Sequence, residues 1–130
     1  RFWITLDQAF TLVMFALENM EGGEIFVPKI PSMKLVDLFD IIAPGIEKEI
    51  IGIRPGEKLH EVLLTEQESL HSIELNNYYV ILPEFISPER YEKYYDMGKK
   101  TEPHFRFSSE TNNDWILGEQ LMDLIVSKDI

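Results

Sequence analysis

Two arginines in this chain stand where a guanidinium can meet an anion, and one of them sits in a turn the sequence forces. In Ile53-Arg54-Pro55-Gly56-Glu57-Lys58-Leu59-His60-Glu61, Pro55 fixes its own φ and biases Arg54 toward extended backbone, while Gly56 accepts dihedrals other residues avoid. A planar guanidinium at such a turn can clamp a phosphate through two parallel hydrogen bonds. Glu57, three residues on, can accept from sugar hydroxyls. Arg1 immediately precedes Phe2-Trp3, an unusual place for a cation unless it is paired or reaches a ligand. The competing reading for both is a solvated arginine, in a β-turn or at a terminus. Glu57, His60 and Glu61 raise a second possibility, a metal site or an acid/base pair. On a helix, carboxylates four apart share a face and can share a cation. There is no second histidine at metal-ligand spacing to support it.

No catalytic set is evident. No glycine-rich dinucleotide turn follows a strand, no Tyr-x-x-x-Lys pair is read, and no Ser-His-Asp arrangement is visible. Tyr91, Tyr94 and Tyr95, with Phe85, can stack on a base, but such spacing more often makes a core stripe. Ser108-Ser109 and Thr111-Asn112-Asn113 supply many hydroxyl and amide groups to one loop, which is ordinary turn chemistry.

The elements that must position these residues follow from apolar period and punctuation. Phe2-Trp3-Ile4 reads as a strand end. Thr5 and Gln8 have capping-box spacing ahead of a helix whose stripe is Leu6, Phe10, Val13, Leu17 and Met20, closed by Gly22-Gly23. Glu24–Val27 reads as a strand stopped by Pro28. Ser32 is expected to cap a second helix carrying Leu35, Leu38, Phe39 and Ile42. A strand over Glu49–Ile53 is expected to lead into the Arg54 turn, with a helix from Glu57 to Leu64 after it. Tyr78–Leu82 reads as a strand. Ser87-Pro88 opens an aromatic helix ending at Gly98; Lys99–Pro103 reads as a loop and Phe105–Phe107 as a strand. The last helix is expected over Gly118–Ser127. Helices alternating with short strands give an α/β or α+β fold with a small sheet. No linker is evident, so residues 1–130 are read as one unit.

At 130 residues with 45% hydrophobic content, the chain can bury a modest core. Its net charge of −11 argues against nucleic acid or an anionic membrane as partner, but a local arginine cluster still suits a small anion. There is no cysteine, which excludes disulfides and thiolate chemistry and suits the cytoplasm. No apolar run approaches a membrane span and nothing resembles a signal peptide. Arg1 in place of an initiator methionine suggests a piece of a longer protein.

With these residues in hand, the chain resembles the C-terminal part of the inverting UDP-N-acetylglucosamine 4,6-dehydratases. These are extended short-chain dehydrogenase/reductase enzymes of bacterial polysaccharide, flagellar-glycan and pseudaminic acid biosynthesis. Four blocks carry the resemblance: Arg1–Asp7, Gly22–Lys34, Ile51–Glu61 and, more loosely, Ser108–Asn112. One departure is Leu117-Gly118, where the family places Ser or Thr at the cap of the last helix. The resemblance implies that an N-terminal Rossmann domain, absent here, binds NADP and holds the catalytic Asp, Lys and Tyr. This segment would then be the substrate-binding part, with no catalytic, cofactor-binding or metal residue and no cofactor of its own. Arg1 and Arg54 would neutralise the UDP pyrophosphate, and Glu57 would orient the ribose or fix Arg54. The implied reaction oxidises the sugar at C4, eliminates water across C5 and C6, returns hydride to C6 and inverts C5. The implied partners are a UDP-sugar and further copies of the protein in a homo-oligomer. Two alternatives stand beside this one. The first is another extended reductase, a non-inverting dehydratase or a C4 epimerase; the second is a non-catalytic interaction or oligomerisation module.

Overall fold

The first helix forms where the apolar period places it, α1 (Leu6–Asn19), but the period's stripe faces solvent. Leu6, Phe10, Val13, Leu17 and Met20 are all exposed. The helix is held from another face, where Phe15 stacks on Tyr78 with ring centroids 4.4 Å apart and meets Phe26 edge-on at 5.9 Å. The computed structural model describes residues 1–85 and 87–127. They form α1, β1 (Ile25–Pro28), α2 (Leu35–Ile42), β2 (Val62–Leu64), α3 (Glu66–Ser69), β3 (Ser72–Glu74), β4 (Tyr78–Ile81), a 3-10 turn (Pro88–Tyr91), α4 (Glu92–Met97), β5 (Lys99–Lys100), β6 (Phe107–Ser108) and α5 (Gly118–Val126). This is an α+β fold. Its four-stranded sheet has the order β1-β4-β3-β5 and β2 pairs separately with β6.

The chain groups into two compact units. The first takes Arg1–Leu6, Ile30–Glu61 and the stretch from Ser108, and the second Asp7–Lys29 and Val62–Phe107. Because each unit is assembled from separated stretches, no linker composition marks the division, and the sequence read as one.

In the second unit the sheet is antiparallel, with Val27 opposite Tyr79 and Ile73 opposite Val80. Ile73, Leu75, Val80, Tyr91 and Tyr94 form its core, with Phe15, Phe26 and Leu82 packed against them. Tyr91 and Tyr94 are therefore core, while Tyr95 and Phe85 are exposed. Fully buried Leu64 and Val80 each contribute about 1.5–3 kcal/mol. The sequence reading of Lys99–Pro103 as a loop is corrected at its start, since Lys99 and Lys100 pair with Glu74 and Ile73 as a fourth strand. The turn after α1 has Gly22 and Gly23 at φ 110 and 92, the left-handed backbone that favours glycine.

Glu24 secures that turn. Its carboxylate accepts from the N–H groups of Glu21 and Gly22, both at 2.6 Å, and from the Tyr94 hydroxyl at 2.8 Å. Burial pushes its pKa up, but these hydrogen bonds outweigh burial and leave it below the ordinary value of 4.5. A carboxyl depressed on folding contributes stability above its unfolded pKa and loses it as pH falls through the folded one. Glu74 is depressed too, by the hydrogen bond from Lys29 first, which outweighs the upward push of burial, with Lys99 adding a smaller share. Acid unfolding is thus expected to begin below about pH 4.5. Glu24→Gln should unfold with a shallower dependence on pH there, measured by circular dichroism; an unchanged slope would exclude Glu24 from that linkage.

In the first unit, Ser32 is not a helix cap. It forms bridges to Phe2 on one side and Trp115 on the other, and α2 opens at Lys34 without a side-chain cap. Ser32 is fully buried and its hydroxyl accepts from Asn112 at 3.1 Å. Met33, Ile116 and Leu121 form the core here, packed by Trp3, Leu38, Ile41, Leu124 and Ile125. The departure at Leu117-Gly118 leaves the last helix starting at Gly118.

Candidate anion-binding site

The turn at Pro55-Gly56 forms as its residues require. Gly56 has φ 82, and the Glu57 N–H donates to the Arg54 carbonyl at 3.0 Å. The flanking elements do not form. Among the described residues Glu49–Ile53 has no strand partner, and it stays irregular, with Ile50 94% exposed. Beyond the turn there is no helix over Glu57–Leu64: residues 57–61 are irregular and Val62–Leu64 is β2. Glu57 therefore does not open a helix, and the shared helix face expected for Glu57 and Glu61 does not exist.

The two carboxylates nonetheless share a cation, and it is Arg1. Arg1 Nη1 donates to Glu61 Oε1, and Arg1 Nη2 lies 3.8 Å from Glu57 Oε1. The other oxygen of Glu57 accepts from the Arg54 N–H at 3.0 Å, so Glu57 ties the Arg54 turn to Arg1. The Arg1 backbone is anchored as well: its nitrogen donates to the Met33 carbonyl at 2.8 Å, and the Met33 N–H donates to the Arg1 carbonyl at 2.7 Å. The structure thus brings Arg1 and Glu57 together. Arg54 joins them through its backbone, and its side chain is exposed.

Beside this junction lies a cavity of about 490 Å3 whose lining includes Arg1, Lys34, Glu57, Lys58, His60 and Trp115. That volume suits a small organic ligand. Among the described residues, neither Lys34 nor Lys58 is in an ion pair, whereas His60 lies 3.1 Å from Glu110. Leu35 and Val36 also line it, which puts the uncapped N-terminus of α2, with its orphan N–H groups, at the same cavity. The Trp115 indole N–H donates to the Asn112 carbonyl at 2.6 Å, which fixes the ring as an apolar wall. Sequence reading missed Lys34, Lys58 and Trp115. The Lys34 signal was Ser32-Met33-Lys34 at a helix start, but nothing local announced the other two.

Among the described residues no group of three or more His, Asp or Glu is placed to hold a metal ion. Among the described residues no helix is long and apolar enough to cross a membrane. A Tyr-x-x-x-Lys spacing, passed over in the sequence, occurs at Tyr95 and Lys99. Gly98 between them is extended and ends α4, so the spacing is not on one helical face, and Lys99 is paired with Glu74 at 3.3 Å.

Residues 1–83 match the family described as polysaccharide biosynthesis protein. The chain belongs to that family. Among family relatives, it is 39% identical to inverting UDP-N-acetylglucosamine 4,6-dehydratases of two Campylobacter jejuni strains, over 96% of this chain and 39% of theirs. It is also 30% identical to the UDP-glucose 4-epimerase of Rickettsia massiliae, over 99% of this chain and 39% of that one. In fold it is similar to the X-ray structure of Pen from Bacillus thuringiensis, with a TM-score of 0.80 and 32% identity across 98% of this chain and 38% of that chain. The resemblance drawn from the sequence blocks agrees with these matches. The chain spans 39% of the length of the dehydratases it matches.

Proposed function

We propose that this chain is the nucleotide-sugar-binding part of a UDP-N-acetylglucosamine 4,6-dehydratase that inverts C5, with the chemistry carried out by the intact protein. One observation carries the reading. Arg1, Lys34 and Lys58 line a single cavity in a chain of net charge −11, and the α2 N-terminus adds its N–H donors. A diphosphate is the group that this concentration of donors suits. Arg1 and the Arg54 turn are assigned to the diphosphate and Glu57 to holding the two arginine segments together. Trp115 offers a flat apolar wall to the base or sugar. The identity to Campylobacter dehydratases named as inverting favours that branch over the epimerases.

Among the described residues no helix opens on a glycine-rich turn from a strand: α1 follows Thr5, α2 Lys34, α3 Thr65, α4 Tyr91 and α5 Leu117. The described residues therefore do not fit a dinucleotide pyrophosphate, and NADP is assigned to a Rossmann domain of the intact protein. What this chain's residues do is bind, orient and neutralise. The exposed apolar residues of α1 and α2 suit contact with that domain or with further copies in a cytoplasmic homo-oligomer.

Incubating the intact protein with UDP-N-acetylglucosamine and NADP, and reading the product by NMR, tests the assignment. A 4-keto-6-deoxy sugar inverted at C5 is expected. Retention at C5, or simple C4 epimerisation without loss of water, would replace the reading with one of its two enzyme alternatives.

A further inference from the structure

Glu61 has no role in the reading above, yet its backbone is held at both its N–H and its carbonyl by one residue. Its N–H donates to the Ser109 hydroxyl at 2.9 Å, and its carbonyl accepts from the Ser109 N–H at 2.9 Å. Ser109 is 1% exposed, so this reciprocal pair anchors the Glu61 backbone to a buried point on a distant stretch of chain. From that anchor the Glu61 carboxylate takes Arg1 Nη1. Glu57, held by the Arg54 N–H, flanks Nη2.

We infer that Glu61, braced by Ser109, is a positioning residue that aims the Arg1 guanidinium into the cavity. This role for Glu61 rests on the diphosphate reading. Arginine has five N–H donors in a rigid fork. Glu61 engages one of them and Glu57 lies beside another nitrogen, leaving donors for a phosphate. The Arg1 side chain is 30% exposed and that of Glu61 45%. At such exposure an ion pair adds little stability, and its effect is the fixed direction of a long side chain that is otherwise free to rotate.

Two effects of Glu61 on an anion oppose each other. Its charge repels a diphosphate, while its hold on Arg1 favours binding. Substitutions separate them. In the intact protein, UDP is titrated by calorimetry against wild type, Glu61→Ala, Glu61→Gln, Arg1→Ala and the double variant Arg1→Ala with Glu61→Ala. Glutamine keeps an acceptor for Nη1 without the charge. Positioning predicts about ten-fold weaker UDP binding for Glu61→Ala, the scale of one hydrogen bond to a charged group. It predicts Glu61→Gln within about two-fold of wild type, because the acceptor persists. Adding Glu61→Ala to Arg1→Ala should then have almost no further effect.

Equal or tighter binding by Glu61→Ala, with Arg1→Ala still weakened, overturns positioning and leaves the diphosphate reading standing. So does a loss for Glu61→Ala that persists undiminished on the Arg1→Ala background. If Arg1→Ala itself binds UDP as wild type does, the diphosphate reading fails, and this inference with it. Should Glu61→Ala not fold, Ser109→Ala serves in its place, with the same dependence on Arg1 expected.

Discussion

Arg1→Ala in the intact protein is expected to weaken UDP binding by about a hundred-fold. A hydrogen bond to a charged group is worth about 1.5–3 kcal/mol, and a forked guanidinium makes two of them to a phosphate. Truncation also leaves the Glu57 and Glu61 carboxylates without their shared cation beside the cavity, so they would face the incoming anion unscreened. Taken together, a loss of about 3 kcal/mol converts to about a hundred-fold in affinity. Arg54→Ala should lose less, about ten-fold, because its backbone, not its side chain, makes the contact with Glu57. Titration of both variants by calorimetry checks the order. A loss greater for Arg54 than for Arg1 would move the diphosphate toward the turn and away from the cavity's Arg1 wall.

Gly98→Ala is expected to destabilise the second unit by about 3 kcal/mol, the upper part of the range for overpacking. A methyl at this position would stand 2.3 Å from the Glu74 carbonyl oxygen and 2.7 Å from Leu75 Cδ2. The φ of Gly98 is −160, which any residue adopts, so the effect comes from space and not from dihedral strain. The obstruction includes backbone of β3, the strand to which β5 is paired. It cannot swing aside as a side chain does. Urea unfolding of Gly98→Ala measures the loss; a midpoint shift equivalent to less than about 1 kcal/mol would mean that β5 simply peels away.

What the sequence revealed and what it hid divide along a physical line. Local constraints were legible. The Pro55-Gly56 turn, the two left-handed glycines after α1 and the ends of β4 were all visible, because proline, glycine and a β-branched run act within a few residues. Nonlocal partners were not. The Leu6–Leu17 stripe marks a helix correctly but says nothing of which face finds a partner, and here Phe15 does. Ile50-Ile51 reads as strand but has no neighbouring strand to complete its hydrogen bonds, so it stays irregular. Val62–Leu64 lies in what reads as a helix, yet it pairs with β6 and buries Leu64 completely. At the site, the turn carrying Arg54 was readable and family resemblance set Glu57 to orient the ribose or fix Arg54, but the meeting of Glu57 with Arg1 was not foreseen. The Glu61–Ser109 brace was hidden, since a serine in a polar loop gives no sign of the residue it will meet 48 positions away.

The interleaving of the two units has a consequence for the order of events on the ribosome. Every stretch of the second unit has been synthesised once Phe107 emerges, so its sheet can close while translation continues. The first unit must wait, because Ile116 and Leu121 of its core and the Ser109 brace all follow that point. Until they appear, Arg1 and Glu61 are both present but lack the scaffold that holds them, and the cavity beside Arg1 takes shape after the second unit can close.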